Sequence, residues 1–92
     1  MIRLNVFLKL ENEQNKDALK AIAAELVEKS RSDKGCVAYD LFESTTISSH
    51  LMICETWQTR EDLEMHADAE HFKRLVPRIQ ELASMKLEEF VF

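Results

Sequence analysis

A tryptophan and two histidines lie close together in the sequence and are the first candidates for chemistry. Trp57 stands in the segment CETWQTREDLEMHADAEHF, residues 54–72, and His66 and His71 follow it. An indole offers a stacking surface and one N–H donor, and an imidazole can accept or relay a proton near neutral pH. The combination is typical of the wall of a reactive pocket, or of a well-packed corner between a strand and a helix.

Three polar residues in predicted strands extend this set of candidates. Asn5 interrupts a run of good β-formers, where a buried amide is costly unless it is hydrogen-bonded. Tyr39 and Glu55 fall on two strands that are expected to pair, with Tyr39 near Glu55 or Thr56. Each has a structural alternative, because a strand tyrosine is often half-buried with its hydroxyl at the rim and Glu55 could bond across the strands or a dimer seam.

No metal or cofactor is expected from the motifs. His66 and His71 are five residues apart, which would place them on different helix faces with a helix break between them, and His50 lies elsewhere. Neither a CxxC nor an HExxH spacing occurs, and a chain with one glycine has no glycine-rich phosphate loop. Cys36 and Cys54 are expected to be buried free thiols.

Length and charge exclude several classes of protein. The chain has 92 residues, which we interpret as a single domain spanning residues 1–92. Seventeen acidic against 12 basic residues give a net charge of −5, which argues against binding to nucleic acid or to an anionic membrane. The alternating N-terminus does not resemble a signal peptide, so we expect a cytoplasmic protein.

Hydrophobic periodicity predicts four strands and three helical stretches. Apolar residues at every second position mark the strands, and apolar residues three and four apart mark the helices. Asn15 is expected to cap the first helix, and Thr59 and Asp62 fit a capping box at a helix start. Gly35 is expected to follow a helix end, and Pro77 is expected to kink or break the last helix. The predicted strands are 2–10, 36–44, 50–58 and 85–92, and the predicted helices are 16–31, 59–67 and 69–83.

The order β-α-β-β-α-β predicts a ferredoxin-like α+β fold with an antiparallel sheet and helices on one face. The face opposite the helices also carries large apolar residues, among them Phe7, Met52 and Phe90. An apolar patch of several hundred Å² is costly to leave in water. We therefore expect a homodimer that forms through this sheet face with twofold symmetry.

The ordered set of motifs resembles the antibiotic biosynthesis monooxygenase (ABM) family, which includes small quinol monooxygenases. The resemblance rests on GCVAYDLFES, LMICETWQTREDLEMH and HFKRL, and so on Gly35, Cys36 and Tyr39, on Glu55 and Trp57, and on Leu63, His66 and His71. It implies a dimeric α+β barrel. It also implies oxygenation of a small aromatic or quinol-type substrate without metal, flavin or haem.

Such a reaction has a physical basis, since a deprotonated electron-rich phenol can itself pass an electron to dioxygen. The protein then supplies binding, orientation and proton handling in an apolar pocket with a few polar groups. We predict Asn5, Tyr39, Trp57 and His66 as catalytic residues, and Glu55, His71 and Phe72 as substrate-binding residues. Two alternatives stay open: isomerisation or degradation of a small carbonyl signal molecule, and non-catalytic binding of a small ligand.

Overall fold

The computed structural model describes residues 1–92 and contains the predicted order of elements. A single turn of 3-10 helix, Glu13–Asn15, precedes the first α-helix. The strands are β1 (Ile2–Leu10), β2 (Cys36–Glu43), β3 (His50–Trp57) and β4 (Ala83–Val91), and the helices are α1 (Lys16–Ser30), α2 (Arg60–Ala67) and α3 (Glu70–Leu82). The predicted boundaries agree with these to within two residues. No helix is both long enough and apolar enough to cross a membrane.

The four strands form one antiparallel sheet in the order β2-β3-β1-β4. This is the predicted ferredoxin-like α+β arrangement. The register places Tyr39 opposite Glu55, as expected from the sequence, and places Asn5 between Cys54 and Glu88. Cys36 lies opposite Trp57 and Cys54 opposite Asp40, so the two thiols are well separated, and both are free.

The core lies between the sheet and the helices. The predicted apolar stripe of α1 is buried there with alternate residues of the strands, and α3 contributes Leu75 and Ile79. Each such side chain contributes about 1.5–3 kcal/mol when it is fully removed from water. The buried members of the stripe are Leu19, Ile22, Ala23, Leu26 and Val27.

Two helix signals differ from their expected effects. Pro77 neither ends nor divides α3, so of the two expected outcomes, a kink or a break, the break is wrong. Pro77 lies on the exposed side of the helix, where water can hydrogen-bond the carbonyl that its missing N–H leaves free. Asn15 precedes α1 but makes no capping hydrogen bond, whereas the Asn12 side chain accepts one from the Gln14 amide at 3.0 Å.

A capping hydrogen bond marks the start of α2, directly after β3. The Thr59 hydroxyl accepts a hydrogen bond from the Asp62 amide at 3.1 Å, as the capping-box pattern predicts. The break between α2 and α3 lies at Asp68 and Ala69. This break turns the chain so that the start of α3 packs back against α2, where the ring centroids of His66 and His71 are 6.0 Å apart.

The second face of the sheet is open in the single chain. Phe7, Phe42 and Phe90 are 39%, 51% and 50% exposed there, and Met52 and Cys54 are half-buried. Charged residues on β1 and β4, including Arg3 and Lys86, share this face. Association through this face stays a prediction.

Candidate active site

Trp57 and Glu55 form a buried polar pair at the end of β3. They are two residues apart, so both point from the sheet toward the helices. Trp57 Nε1 donates a hydrogen bond of 2.9 Å to Glu55 Oε1. Both side chains are buried, which makes the hydrogen bond the main compensation for removing the indole N–H and the carboxyl from water.

An apolar cavity of about 200 Å³ lies beside this pair, between the sheet and the helices. Glu55 is its only charged lining residue, and Tyr39 lines it from the neighbouring strand. Leu87 also lines it and is 59% exposed, so the cavity reaches solvent at the β4 edge of the sheet. The remaining walls are Leu4, Val6, Leu26, Ile53, Leu63, Ala67, Phe72, Val76, Ile79 and Met85.

His66 packs behind the cavity wall on α2. Its ring centroid lies 4.5 Å from that of Trp57, 5.4 Å from Tyr39 and 5.2 Å from Phe72. Its Nδ1 is 2.8 Å from Asp33 Oδ2, and its Nε2 is buried with no hydrogen-bond partner. Since a carboxylate oxygen can only accept, Nδ1 carries the proton and Nε2 presents a free lone pair in the neutral ring.

His71 reaches the same carboxylate from the other side. Its Nε2 is 2.8 Å from Asp33 Oδ2, and the His66 and His71 ring centroids are 6.0 Å apart. The expectation that the two histidines diverge is therefore wrong. A five-residue spacing separates two faces of one continuous helix, but here the break after α2 reorients the chain between them.

Asp33 is the residue of this region that the sequence did not suggest. Asp33 lies in the turn between α1 and β2. The only feature of the sequence that could have indicated it is its place two residues before Gly35. Gly35 has a φ of +78°, and a Cβ there would lie 2.0 Å from Asp62 Oδ2. Glycine thus lets this turn pack directly against α2, which brings Asp33 to His66.

Burial shifts the pKa values of Glu55, Tyr39 and His66 in the direction that favours the neutral form of each side chain. Burial raises the pKa of Glu55, although the hydrogen bond from Trp57 opposes the shift. Burial, followed by the nearby Glu55 carboxyl, raises the pKa of Tyr39. Burial also lowers the pKa of His66, against the opposing effect of Asp33. The buried environment therefore favours the protonated forms of Tyr39 and Glu55 and the uncharged ring of His66.

The structure brings six of the seven predicted site residues into one region and separates the seventh. Tyr39, Glu55 and Phe72 line the cavity, Trp57 and His66 back it, and His71 lies behind His66. Asn5 is on the other face of the sheet, and its Nδ2 donates to Glu88 Oε1 at 3.4 Å. The strand alternation that buries Leu4 and Val6 points the Asn5 side chain away from this cavity.

Comparison with known proteins assigns the chain to a family. The family model described as antibiotic biosynthesis monooxygenase matches residues 1–78. The chain belongs to the antibiotic biosynthesis monooxygenase family. The resemblance noted in the sequence is thus confirmed, and membership supports a general monooxygenase-like, oxidoreductase function.

Relatives of this family member include curated proteins and solved structures. This chain is 31% identical over 88 residues to the Bacillus subtilis (strain 168) protein named "Putative monooxygenase YcnE". The match covers 96% of this chain and 92% of that protein. A crystal structure of a conserved protein from Bacteroides thetaiotaomicron VPI-5482, described as a possible oxidoreductase, is 50% identical. It has a TM-score of 0.95 and coverages of 99% and 96%.

A second crystal structure carries the family description itself. It is described as an antibiotic biosynthesis monooxygenase, is 30% identical, and superposes with a TM-score of 0.91. The match covers 100% of this chain and 98% of that chain. The whole ferredoxin-like unit, including β4 beyond residue 78, is therefore common to both.

Proposed function

We propose that this family member is a monooxygenase that needs no bound cofactor and acts on a small aromatic or quinol-type molecule. The observation that carries the proposal is the apolar cavity of about 200 Å³ with Tyr39 and Glu55 in its wall and Trp57 and His66 behind it. Apolar walls with a few convergent polar groups suit a flat molecule with one or two oxygen atoms.

The reaction proposed for a quinol balances without an external reductant. One atom of O₂ enters the ring as a hydroxyl, and the other leaves as water. Oxidation of the ring C–H bond to C–OH supplies two of the four electrons that O₂ accepts. The other two come from the quinol, which becomes a quinone, so the products are a hydroxyquinone and water.

The protein's part is to take a proton from the substrate and to hold the substrate dry. We assign the final acceptance of this proton to His66 Nε2, whose lone pair is buried directly behind the cavity wall and free of protein partners, so the proton is relayed across the wall and not taken in direct contact. Burial raises the pKa of Tyr39, so its hydroxyl keeps its proton and can donate a hydrogen bond to a substrate oxygen. Burial also raises the pKa of Glu55, which favours the neutral acid in the same wall. Trp57 supports the wall from behind through its hydrogen bond to Glu55, and Phe72 contacts the ring of the substrate.

His71 and Asp33 are positioning residues in this proposal. Asp33 accepts from His66 Nδ1, which holds the proton on that nitrogen and leaves Nε2 as the acceptor. His71 donates to the same Asp33 oxygen and so fixes the carboxylate. Asn5 has no role at this cavity, because its side chain lies on the opposite sheet face.

We also propose the homodimer through the open sheet face. The exposed phenylalanines of that face give the apolar surface, and the charged residues of β1 and β4 surround part of it. Two copies related by a twofold axis would place identical sheets face to face as an α+β barrel. Asn5 would then lie within the interface between the sheets.

Oxygen uptake with a panel of reduced quinones and anthrones tests the proposed activity. We expect uptake above autoxidation, with label from ¹⁸O₂ in the product, and a loss of about 10²–10⁴-fold in rate for His66→Gln. His50→Gln is the matched control, since His50 lies at the start of β3, away from the cavity. Uptake no faster than autoxidation for every substrate would refute the proposal.

Two other results would identify the alternative functions. Deuterium incorporation from solvent into a ketone substrate, without oxygen uptake, would indicate an isomerase that uses the same buried acid and base. Tight binding with full recovery of the unchanged ligand would indicate a ligand-binding protein.

A further inference from the structure

A cluster of three side chains that can bind metals, one aspartate and two histidines, joins three separate segments of the chain. Asp33 belongs to the turn between α1 and β2, His66 to α2 and His71 to α3. Asp33 Oδ2 lies 2.8 Å from His66 Nδ1 and 2.8 Å from His71 Nε2. The three atoms that could bind an ion all lie within 4.8 Å of one another.

We propose that Asp33, His66 and His71 bind one divalent transition-metal ion of the zinc type. Two imidazole nitrogens and one carboxylate oxygen form a ligand set that such ions favour, with bonds of about 2.0–2.2 Å. Ligand atoms of a tetrahedral site at these bond lengths lie about 3.4 Å apart. The two 2.8 Å separations to Asp33 therefore need to widen by about half an ångström, and the two histidine nitrogens, which lie within 4.8 Å of each other, need to approach to about the same 3.4 Å.

The ion would replace the two ring protons that now bridge the histidines to Asp33. With neutral rings the cluster carries the charge of one carboxylate, and the chain as a whole carries −5, so a cation is attracted to it. The side chains of His66, His71 and Asp33 are 1%, 15% and 19% exposed. This burial limits competition from water for the ligand atoms. The partial exposure of His71 and Asp33 leaves one side of the cluster accessible to an ion.

A shallow depression gives the ion a route to the cluster. It has a volume of about 210 Å³ and lies outside the apolar cavity, so metal entry need not pass the substrate region. Its volume accommodates water at the positions that the three protein ligands leave open. Its lining residues are Asp33, Lys34, Asp62, Met65, His66 and Ala69.

Metal binding would have two consequences for the protein. An ion held by all three segments would tie the α1–β2 turn to α2 and α3, and so raise the thermal stability of the folded chain. An ion on Nδ1 of His66 would also move the ring proton to Nε2. If His66 acts as in the proposed function, zinc would then inhibit turnover by removing the base.

Metal titration of the full-length chain without an affinity tag tests the site. We expect one zinc ion per chain by calorimetry, a visible absorption band on adding cobalt(II) chloride, and a rise in melting temperature with zinc. Magnesium chloride should produce none of these, since Mg²⁺ prefers an octahedral shell of oxygen ligands. A wild-type chain without stoichiometric zinc binding would show that the cluster is only a hydrogen-bonded clamp.

Three variants locate the ion. Asp33→Asn and His71→Gln should each weaken zinc binding by at least about tenfold, since even loss of an outer-shell partner costs a metal site that much. His50→Gln should bind as the wild type does. Equal binding by all three would place the ion elsewhere and overturn the proposal. If a variant does not fold, the wild-type cobalt spectrum still decides, because histidine ligation changes it. None of these measurements requires turnover, so they are independent of the proposed activity.

Discussion

Trp57 Nε1 donates a 2.9 Å hydrogen bond to Glu55 Oε1, and the two buried side chains lie on the same face of β3. The indole thus holds the only charged lining residue of the cavity in one orientation. Because both side chains are buried, removing the indole costs the carboxyl its hydrogen bond from Nε1, and removing the carboxyl leaves the indole N–H without its partner. Variants of these two residues therefore measure how much their hydrogen bond stabilises the cavity wall.

We expect Trp57→Phe to lower the free energy of unfolding by about 1–3 kcal/mol for the unpaired carboxyl, with a further loss from the smaller ring. The double variant with Glu55→Met should cost less than the two single variants together, by at least about 0.5 kcal/mol. Denaturant unfolding of the four proteins measures this coupling. Strictly additive losses would contradict an energetic link between the two residues.

Glu55 should give the folded chain a distinctive pH dependence. Burial raises its pKa in the folded state above the ordinary value of 4.5, so the folded chain holds this proton more tightly than the unfolded chain does. The contribution to stability is complete below about pH 4.5 and is lost as the pH rises through the raised pKa.

Glu55→Gln should therefore flatten the decline in stability between those two pKa values. Four carboxylates whose pKa values are lowered by cations remain in both proteins and cancel in the difference: Glu25, Glu43, Asp68 and Glu89. Thermal unfolding of both proteins across this pH range provides the measurement. A difference that stays constant with pH would argue against a raised pKa for Glu55.

Filling the cavity should weaken binding without unfolding the chain. Val76 lines the cavity from α3 and is half-buried. We expect Val76→Phe to weaken binding of a reduced naphthoquinone at least about tenfold, or about 1.4 kcal/mol. Val37→Phe is the matched control, because Val37 is 51% exposed and does not line the cavity. Equal affinities in a fluorescence titration would mean that the ligand binds elsewhere.

Gly35→Ala should destabilise the chain for two reasons. The φ of +78° costs a residue with a side chain about 1–2 kcal/mol, and the added Cβ would meet the Asp62 side chain. Gly35→Asn separates the two effects, since asparagine tolerates this backbone but also has a Cβ. Chemical unfolding should show a loss for both variants. Full recovery with asparagine would assign the effect to the backbone alone.

The open sheet face predicts the oligomeric state. We expect sedimentation of the wild type as a dimer at micromolar concentration, and at least about tenfold weaker association for Phe7→Lys, which places a charge among apolar neighbours. Ile47→Lys is the control, since Ile47 is also exposed but lies in the loop between β2 and β3. A monomeric wild type would remove the basis for the barrel.

The local pattern of the sequence determined the elements and the fold class. Alternation set which side of each strand faces the helices. The position of the β2–β3 turn placed Tyr39 near Glu55 or Thr56, and the structure pairs it with Glu55. The capping pattern at Thr59 located the start of α2. These signals act over a few residues, and a single chain carries them without reference to the rest of the fold.

Only the tertiary structure decided which polar groups meet. The same alternation that buries Trp57 sends Asn5 to the opposite face, and only the assembled sheet shows that the two are therefore apart. The helix break directs His71 back to Asp33, which is 38 residues away in the chain. Contacts of this kind depend on the angle between helices and on one turn that packs closely at Gly35, and neither leaves a periodic signal in the sequence.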